Sequence, residues 1–239
     1  MRVLVASSNL DSNGASILAR RSLMLLHEAG YEVLLACQKD SWVGRDLPAD
    51  LPILRTNFHR WPFDECDRVA AWCRERGVSL VHSHLTRSCN FGALLRQRHG
   101  IKSIAHLHAN HPQIHTGFHD LLIAVSEDVA RRHRMVPWNW TAEIVTVPNF
   151  VDDEEFRPAA SGEPDLLRSL LDVSADTPVL LSVVRSAIAK DRIRPSGRSR
   201  RYGQSIPTPC WPWSAPGNFR PAFPWTASAC SVIAGTSLA

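Results

Sequence analysis

Short apolar segments alternate with longer amphipathic segments through the first 150 residues, and this alternation constrains the fold most strongly. The first apolar segment, Arg2–Ser7, is a nearly continuous run of Val, Leu and Ala, typical of a strand that is covered on both faces. A helical pattern over 15–29 follows a polar turn and ends at Gly30. Repeated strand–helix–strand units require right-handed crossovers and produce a parallel sheet with helices on both faces. The sequence therefore predicts a doubly wound α/β domain.

The other elements of this domain are predicted from the same two periodicities. In the first helix, the pairs Leu18/Leu25 and Ile17/Met24 have seven-residue spacing and predict the buried stripe. Ser126 is the predicted N-cap of the last helix. We expect further helices over 64–76 and 88–99, and further strands over 31–37, 78–82, 101–107, 121–125 and 143–147.

A second α/β unit is predicted to begin after the first domain and not to continue. The sequence predicts a helix over Asp165–Leu171 and a buried strand over Val179–Val184. We therefore divide the chain into a first domain (1–158), the start of a second domain (159–191) and a tail (192–239).

The tail differs sharply in composition from the rest of the chain. It contains six Arg and no Asp, Glu or Lys, together with seven of the 16 Pro and three of the eight Trp. The net charge of +4 therefore comes from the tail. It does not indicate that the rest of the chain, residues 1–191, binds nucleic acid. Because the tail has no helical or strand period, we expect it to be disordered or loosely associated.

Several classes of protein are excluded or disfavoured by what the sequence lacks. No apolar run approaches ~18 residues, so a spanning helix is not predicted. The apolar start is too short for a signal peptide, and the six cysteines form no CxxC pair. We expect a cytoplasmic protein with reduced thiols and no zinc ribbon. Contact with the inner face of a membrane is left open, since no basic amphipathic helix stands out in the body.

The loop after the first strand and the strand ends carry the candidate functional residues. Open α/β sheets bind ligands beyond the carboxyl ends of their strands. Gly14 lies just before a helix, where backbone amides can receive an anion, although neither GxGxxG nor GxxxxGK[ST] is present. The alternative is a turn glycine that requires a positive φ. Arg185 and Lys190 follow the strand at 179–184, as would suit a diphosphate, or they form a solvated charge pair.

Histidine is concentrated in the middle of the chain. His82/His84 and His106/His108 form two H-x-H pairs at the ends of adjacent predicted strands. Side chains two apart in a strand share a face, so each pair can converge on a cleft and bind metal, transfer protons or donate hydrogen bonds. Three more histidines, at positions 111, 115 and 119, would stack on one face of a helix. No HExxH motif or cysteine partner accompanies them, so no metal site is predicted.

Four short segments resemble, in order and spacing, the N-terminal half of a family 4, retaining GT-B glycosyltransferase. They are 81–84 (VHSH), 104–108 (IAHLH), 123–127 (IAVSE), and 147–152 (VPNFVD) with 156–158 (FRP). The resemblance covers about residues 1–191 and implies two Rossmann-like domains. The first would hold a glycan, lipid-linked or small-molecule acceptor, and the second a nucleotide-sugar donor. It implies transfer with retention, without a cofactor or bound metal.

The resemblance also implies roles for individual residues. Gly14 matches a glycine loop near the donor phosphates, where the family often has two adjacent glycines. His108 matches the histidine that reaches the donor sugar, and Arg185 and Lys190 resemble the cations that neutralise the leaving diphosphate. Asn149 and Asp152 match a structural segment at the domain hinge.

The sequence departs from the family after residue 191. The donor domain should continue with a Glu-x7-Glu segment, but residues 192–239 contain no glutamate. We interpret the donor half as truncated, with doubtful activity, and hypothesise that a shifted reading frame produced the tail. A continuous, in-frame parent gene with the same tail would refute this hypothesis.

Three other functions remain open from the sequence. One is a non-catalytic Rossmann-like module that binds a sugar or nucleotide without transferring it. Another is a nicotinamide-dependent enzyme, against which the missing GxGxxG counts. In the last, Arg192–Arg201 and the Trp residues of the tail contact nucleic acid or an anionic membrane, although proline-broken sequence offers no folded platform.

Overall fold

The structure is a computed structural model that describes residues 1–58, 63–140, 142–158, 160, 162, 165–174, 179–183 and 230–234. The chain divides into two units, Met1–Phe156 and Arg157–Ala239, which are described separately below.

A seven-stranded sheet forms the centre of the first unit. All strand pairs are parallel and the order is β3-β2-β1-β4-β5-β6-β7. The strands are β1 (Arg2–Ser7), β2 (Glu32–Cys37), β3 (Ile53–Arg55), β4 (Leu80–His84), β5 (Lys102–Leu107), β6 (Leu121–Ala124) and β7 (Glu143–Thr146). The predicted doubly wound α/β fold is confirmed. Strand β3 was not predicted, because three residues are too few to show a period.

Four helices and three short 3-10 helices connect these strands. The α-helices are α1 (Gly14–Glu28), α2 (Phe63–Glu75), α3 (Thr86–His99) and α4 (Glu127–Arg134), and the 3-10 helices are Trp42–Gly44, Ile114–Phe118 and Pro137–Asn139. Gly100 ends α3 with a φ of 68°, a left-handed conformation that favours glycine. Ser126 caps α4 as predicted, because its side chain accepts a hydrogen bond from the Val129 amide at 3.3 Å.

The strand order reverses at the centre of the sheet. From β1 the chain moves outward through β2 to β3, and it then returns to the other side of β1 to form β4. Open α/β sheets bind ligands beyond the carboxyl ends of their strands, at the point where the strand order reverses, which here lies between β1 and β4. The fold therefore directs attention to the loop after β1 and to the end of β4.

Two sequence predictions within this unit are wrong in detail. The buried residues of α1 are Ser16, Leu18, Ala19 and Leu23, whereas Leu25 is 50% exposed. The hydrophobic pattern missed this face because Ser16 and Ala19 are small rather than strongly apolar. Strand β4 begins and ends two residues later than predicted, so both histidines of the first H-x-H pair lie within the strand.

Helices α2 and α3 pack together over one face of the sheet. Cys66, Val69 and Cys73 of α2 are fully buried, as the sequence predicted, and join Val81 of β4 in one apolar cluster. Gly92 brings α3 close to the sheet, since a Cβ atom there would lie 2.4 Å from the Ser83 hydroxyl and 2.8 Å from the Ser103 hydroxyl. Ser83 alternates with the histidines along β4, so α3 packs on the opposite face from those imidazoles.

The second unit contains one helix and a two-stranded antiparallel sheet among its described residues. Helix α5 (Leu166–Leu171) begins after Asp165, whose carboxylate accepts a hydrogen bond from the Arg168 amide. Strand β8 (Val179–Val183) pairs with β9 (Cys230–Ala234). The pairing of β9 differs from the expectation that the tail contains no strand, and its β-branched Val232 and Ile233 favour an extended chain. The remainder of the predicted tail lies outside the described residues.

A search of the described residues finds no helix that is both long enough and apolar enough to cross a membrane.

Candidate functional site

Four histidines come together at the carboxyl end of the sheet. His82 and His84 lie in β4, His106 lies in β5, and His108 follows β5 by one residue. His84 is the register partner of His106, and neighbouring parallel strands direct paired side chains to the same face. The structure therefore brings the two predicted H-x-H pairs onto one face, next to the reversal in strand order.

The four imidazoles contact one another in two cross-strand pairs. Nε2 of His82 lies 3.3 Å from Nδ1 of His106, and Nδ1 of His84 lies 3.3 Å from Nε2 of His108. The rings of His84 and His106 stack with centroids 4.8 Å apart, as do those of His106 and His108. We call these four residues the histidine cluster.

The histidine cluster is uncharged at neutral pH. Burial lowers the pKa of His82 and of His108 to about 4, and it lowers the pKa of His106 to about 3. Burial, with repulsion from the three neighbouring imidazoles as a smaller cause, holds the pKa of His84 well below its ordinary value. Each ring therefore carries one N–H donor and one nitrogen lone pair, and it can bind polar or electrophilic groups without bringing charge.

Backbone strain is located directly after His84. Leu85 has a φ of 74° and a ψ of 153°, a region that residues with a side chain rarely occupy. Leu85 is also the residue from which α3 begins, and the buried Ser88 hydroxyl in the first turn of that helix donates to the His84 carbonyl. The turn thus fixes the end of β4 at the site. The strained conformation of Leu85 is unfavourable by about 1–3 kcal/mol.

Gly14 opens the loop after β1 to a ligand. It is the first residue of α1, and nothing lies within 4 Å of the position that a Cβ atom would occupy. Its φ is not positive, so the alternative of a turn glycine with obligatory positive φ is wrong. Asn13 caps the helix by accepting a hydrogen bond from the Ser16 amide at 2.9 Å. The structure therefore leaves space around Gly14 at a helix N-terminus.

The loop that follows His108 is anchored to α4. His133 contacts the Ala109 carbonyl oxygen through Nε2 at 3.2 Å, and the Asn110 amide donates to Asp128 at 2.9 Å. His133 was not among the candidate residues predicted from the sequence. Its spacing from Val129 and Ala130 places all three on one face of α4, and that signal could have identified it as buried.

The other three histidines singled out by the sequence do not gather on one helix face. His111 is exposed, and His115 lies in the 3-10 helix Ile114–Phe118. His119 is buried against β5, where its Nδ1 lies 2.8 Å from the Ser103 hydroxyl. A 3-10 helix has three residues per turn, so the four-residue spacing does not align these side chains.

These buried histidines predict that acid destabilises the fold. Burial lowers the pKa of His119 to about 3 and that of His115 to about 4, against an ordinary value of 6.5. Between pH 6.5 and about 4, the unfolded chain binds protons that the folded chain does not, so the free energy of unfolding falls as the pH falls. Denaturant titrations across this window should show the decline, and His119→Gln should make it less steep.

A matched substitution separates this effect from a general loss of stability. His27→Gln makes the same replacement at a half-exposed histidine in the last turn of α1 and serves as the matched control. An unchanged slope in His119→Gln would contradict the prediction.

The hinge segment forms a local turn. The Asp152 carboxylate accepts hydrogen bonds from the amides of Glu154 and Glu155 at 3.1 and 3.2 Å. Arg21 of α1 pairs with the Glu155 carboxylate at 2.9 Å and lies over the Phe156 ring. Asn149 is exposed. Arg185 and Lys190, the two predicted cations, lie outside the described residues.

A groove of about 820 Å³ lies beside α3. Its apolar walls include Phe58, Leu94, Ile114 and Phe118, and the polar side chains of Asn90 and Gln97 also line it. Ile114 and Phe118 are exposed, and they belong to the 3-10 helix that follows the loop after His108. The first unit therefore offers a partly apolar groove on the side of the sheet where α3 packs.

Sequence comparison decides the family to which this fold belongs. The sequence model of Glycosyltransferase Family 4 matches residues 12–155, well over half of the chain. The chain belongs to Glycosyltransferase Family 4. The predicted resemblance is thus confirmed, and the matched range contains Gly14 and the whole histidine cluster. No curated protein is similar to this family 4 chain at a significant level.

Solved structures of glycosyltransferases share the fold of this family 4 chain. A glycosyltransferase from Rickettsia africae matches with a TM-score of 0.58 and 17% identity, over 74% of this chain and 51% of its own. HepE from Anabaena, in complex with UDP, matches with a TM-score of 0.55 and 15% identity, over 72% and 50%. Sucrose-phosphate synthase from Thermosynechococcus elongatus matches with a TM-score of 0.55 and 17% identity, over 74% and 54%. The chain spans about half the length of each.

Proposed function

We propose that this chain takes part in the transfer of a sugar from a nucleotide-sugar donor, with retention at the anomeric carbon. One observation carries the proposal: the loop that contains Gly14 and the histidine cluster that contains His108 flank the reversal in strand order of a family 4 fold. Both elements follow the carboxyl ends of strands beside this reversal, where open α/β sheets bind ligands.

Gly14 contacts the donor phosphates in this proposal. The open space around it and its position at the N-terminus of α1 suit the close approach of an anion. HepE, which shares the fold, was solved with UDP and also with UDP-glucose, so a uridine diphosphate sugar is the first donor to test. Arg185 and Lys190 neutralise the leaving diphosphate.

His108 contacts the donor sugar. As a neutral imidazole it donates a hydrogen bond without attracting a counter-ion, and its contact with Nδ1 of His84 fixes the plane of the ring. In the reaction, the bond between the anomeric carbon and the diphosphate oxygen breaks and the diphosphate keeps the electron pair. The acceptor oxygen forms the new bond on the same face and releases its proton to the departing phosphate. No cofactor takes part.

The groove beside α3 holds the acceptor. Its apolar walls suit the hydrocarbon face of a sugar ring or a lipid-linked glycan, and its amide side chains suit hydroxyl groups. The loop after His108 leads into the 3-10 helix Ile114–Phe118, which lines this groove, so the groove and the carboxyl end of β5 are joined by one short segment.

Donor binding tests the proposal. We expect UDP-glucose to bind the full chain in a ligand-observed NMR titration, and we expect Gly14→Glu to abolish the binding because its carboxylate repels the diphosphate. Gly14→Ala is the matched control, since its methyl group enters open space and carries no charge. An acidic residue in the first turn of a helix is favourable, so Gly14→Glu should keep the fold. Equal binding by both variants would refute the role of Gly14, and no binding by the unmodified chain would refute the proposed donor.

The second candidate is a Rossmann-like module that binds the donor without transferring its sugar. The observation that favours it is the length of the chain, which spans about half the length of each glycosyltransferase that shares its fold. Transfer requires donor and acceptor to be held in one geometry. Donor binding without transfer or hydrolysis, measured by release of the nucleoside diphosphate, would favour the module.

A further inference from the structure

Three imidazoles of the histidine cluster are close enough to share one ion. One nitrogen from each of His82, His84 and His106 can be chosen so that all three lie within 4.8 Å of one another. Ligands of a tetrahedral ion with Zn–N bonds of ~2.0–2.1 Å lie about 3.3 Å apart. Nε2 of His82 and Nδ1 of His106 already have this separation, at 3.3 Å.

One nitrogen atom in this group, Nε2 of His84, has no hydrogen-bond partner among the residues that the structure describes. The His84 side chain is buried, with 0% of its surface exposed. A buried polar atom without a partner is unfavourable by about 1–3 kcal/mol, and an ion bound at Nε2 of His84 would remove this penalty.

The nature of the donors selects the class of ion. All three are imidazoles, and no carboxylate or thiolate of the described residues joins the group. Imidazole suits Zn²⁺, Cu²⁺ and Ni²⁺, whereas Mg²⁺ and Ca²⁺ prefer oxygen ligands. Three histidines with an open fourth position also form a known arrangement for zinc.

We propose that His82, His84 and His106 bind one divalent transition-metal ion of the zinc class. The site lies within the sheet of the first unit and does not depend on a bound donor. When Nε2 of His84 binds the ion, the proton of that ring is on Nδ1 and is donated to Nε2 of His108. The ion therefore sets which nitrogen of His108 carries a proton, while taking no part in bond breaking.

Cobalt substitution tests the proposal on the unmodified chain. The chain is prepared without a histidine tag, treated with a chelator and titrated with Co²⁺. We expect visible ligand-field bands of the intensity that four-coordinate nitrogen sites give, saturating at one ion per chain. We also expect Zn²⁺ to displace the Co²⁺ and Mg²⁺ to have no effect. Weak bands of a six-coordinate ion, or binding without saturation at one equivalent, would overturn the proposal.

Variants then assign the ligands. His106→Phe keeps an aromatic ring in the stack and should weaken zinc binding at least ~100-fold, since even changes outside the ligands themselves weaken metal sites 10–100-fold. His27→Ala, at the end of α1 and remote from β4 and β5, is the matched control and should bind as the unmodified chain does. Equal zinc affinity of His106→Phe and the unmodified chain would refute the assignment. A failure of UDP-glucose to bind would leave the metal site untouched, so the two proposals fail separately.

Discussion

His108→Ala is expected to lower the rate of sugar release from the donor by about 10²–10³-fold, the loss that follows removal of one stabilising hydrogen-bond donor from an active site. His108 is partly buried at the end of β5 and contacts His84, so its ring is held in a fixed orientation. Steady-state release of the nucleoside diphosphate measures the effect, with the thermal transition recorded for the same samples.

The role of His84 provides an internal check on this result. The amide nitrogen of an asparagine can occupy the place of Nδ1, so His84→Asn should retain more activity than His84→Leu, which keeps bulk but donates nothing. The control is His27→Ala, a histidine substitution away from the histidine cluster. If activity and the thermal transition fall together in His108→Ala, the residue is structural and the proposed contact with the donor sugar is wrong.

Gly117→Ala is expected to destabilise the fold by about 3 kcal/mol, at the upper end of what an added methyl group in a packed region does. A Cβ atom at position 117 would lie 2.0 Å from the carbonyl oxygen of Trp138 and 2.9 Å from its carbonyl carbon. That backbone cannot move easily, because the neighbouring Asn139 accepts a hydrogen bond from Thr116 and donates one to the His133 carbonyl. The transition temperature should fall by roughly 6–12 °C.

Alanine substitutions at two other glycines provide a scale of stability changes for this prediction. Gly14→Ala adds the same methyl group in open space and should change the stability little. Gly92→Ala should fall between them, since its Cβ meets the hydroxyls of Ser83 and Ser103, which can rotate within limits. Chemical denaturation of the three variants gives the order directly. If the Gly117→Ala variant were as stable as Gly14→Ala, the 3-10 helices Ile114–Phe118 and Pro137–Asn139 would be able to move apart with little loss of stability.

The sequence predicted the parallel sheet because each buried strand is a continuous apolar run and most helices end at a glycine. It also indicated that each H-x-H pair could converge on the cleft, since side chains two apart in a strand share a face. It was only partly right at α1, where Leu18 is buried as predicted but Leu25 is half-exposed and the small residues Ser16 and Ala19 share the buried face. The buried Ser16 and Ala19 show that close packing can replace hydrophobicity as the signal.

Other features of the site could not be read from local pattern. The strained conformation of Leu85 depends on how α3 is held against β4, and no residue type at that position indicates it. The contact between His133 and the Ala109 carbonyl joins residues 24 positions apart. Such contacts depend on how whole helices and strands pack against one another. Local patterns in a single sequence do not indicate that packing.

The buried cysteines give the chain an intrinsic reporter of its own opening. Cys37, Cys66, Cys73 and Cys89 are free thiols in the core of the first unit. Burial raises the pKa of Cys66 to about 11 and those of Cys73 and Cys89 to about 12, so almost no thiolate is present to react with an alkylating reagent. Labelling followed by mass spectrometry of the peptides would therefore time the exposure of α2 separately from that of α3, without any added probe.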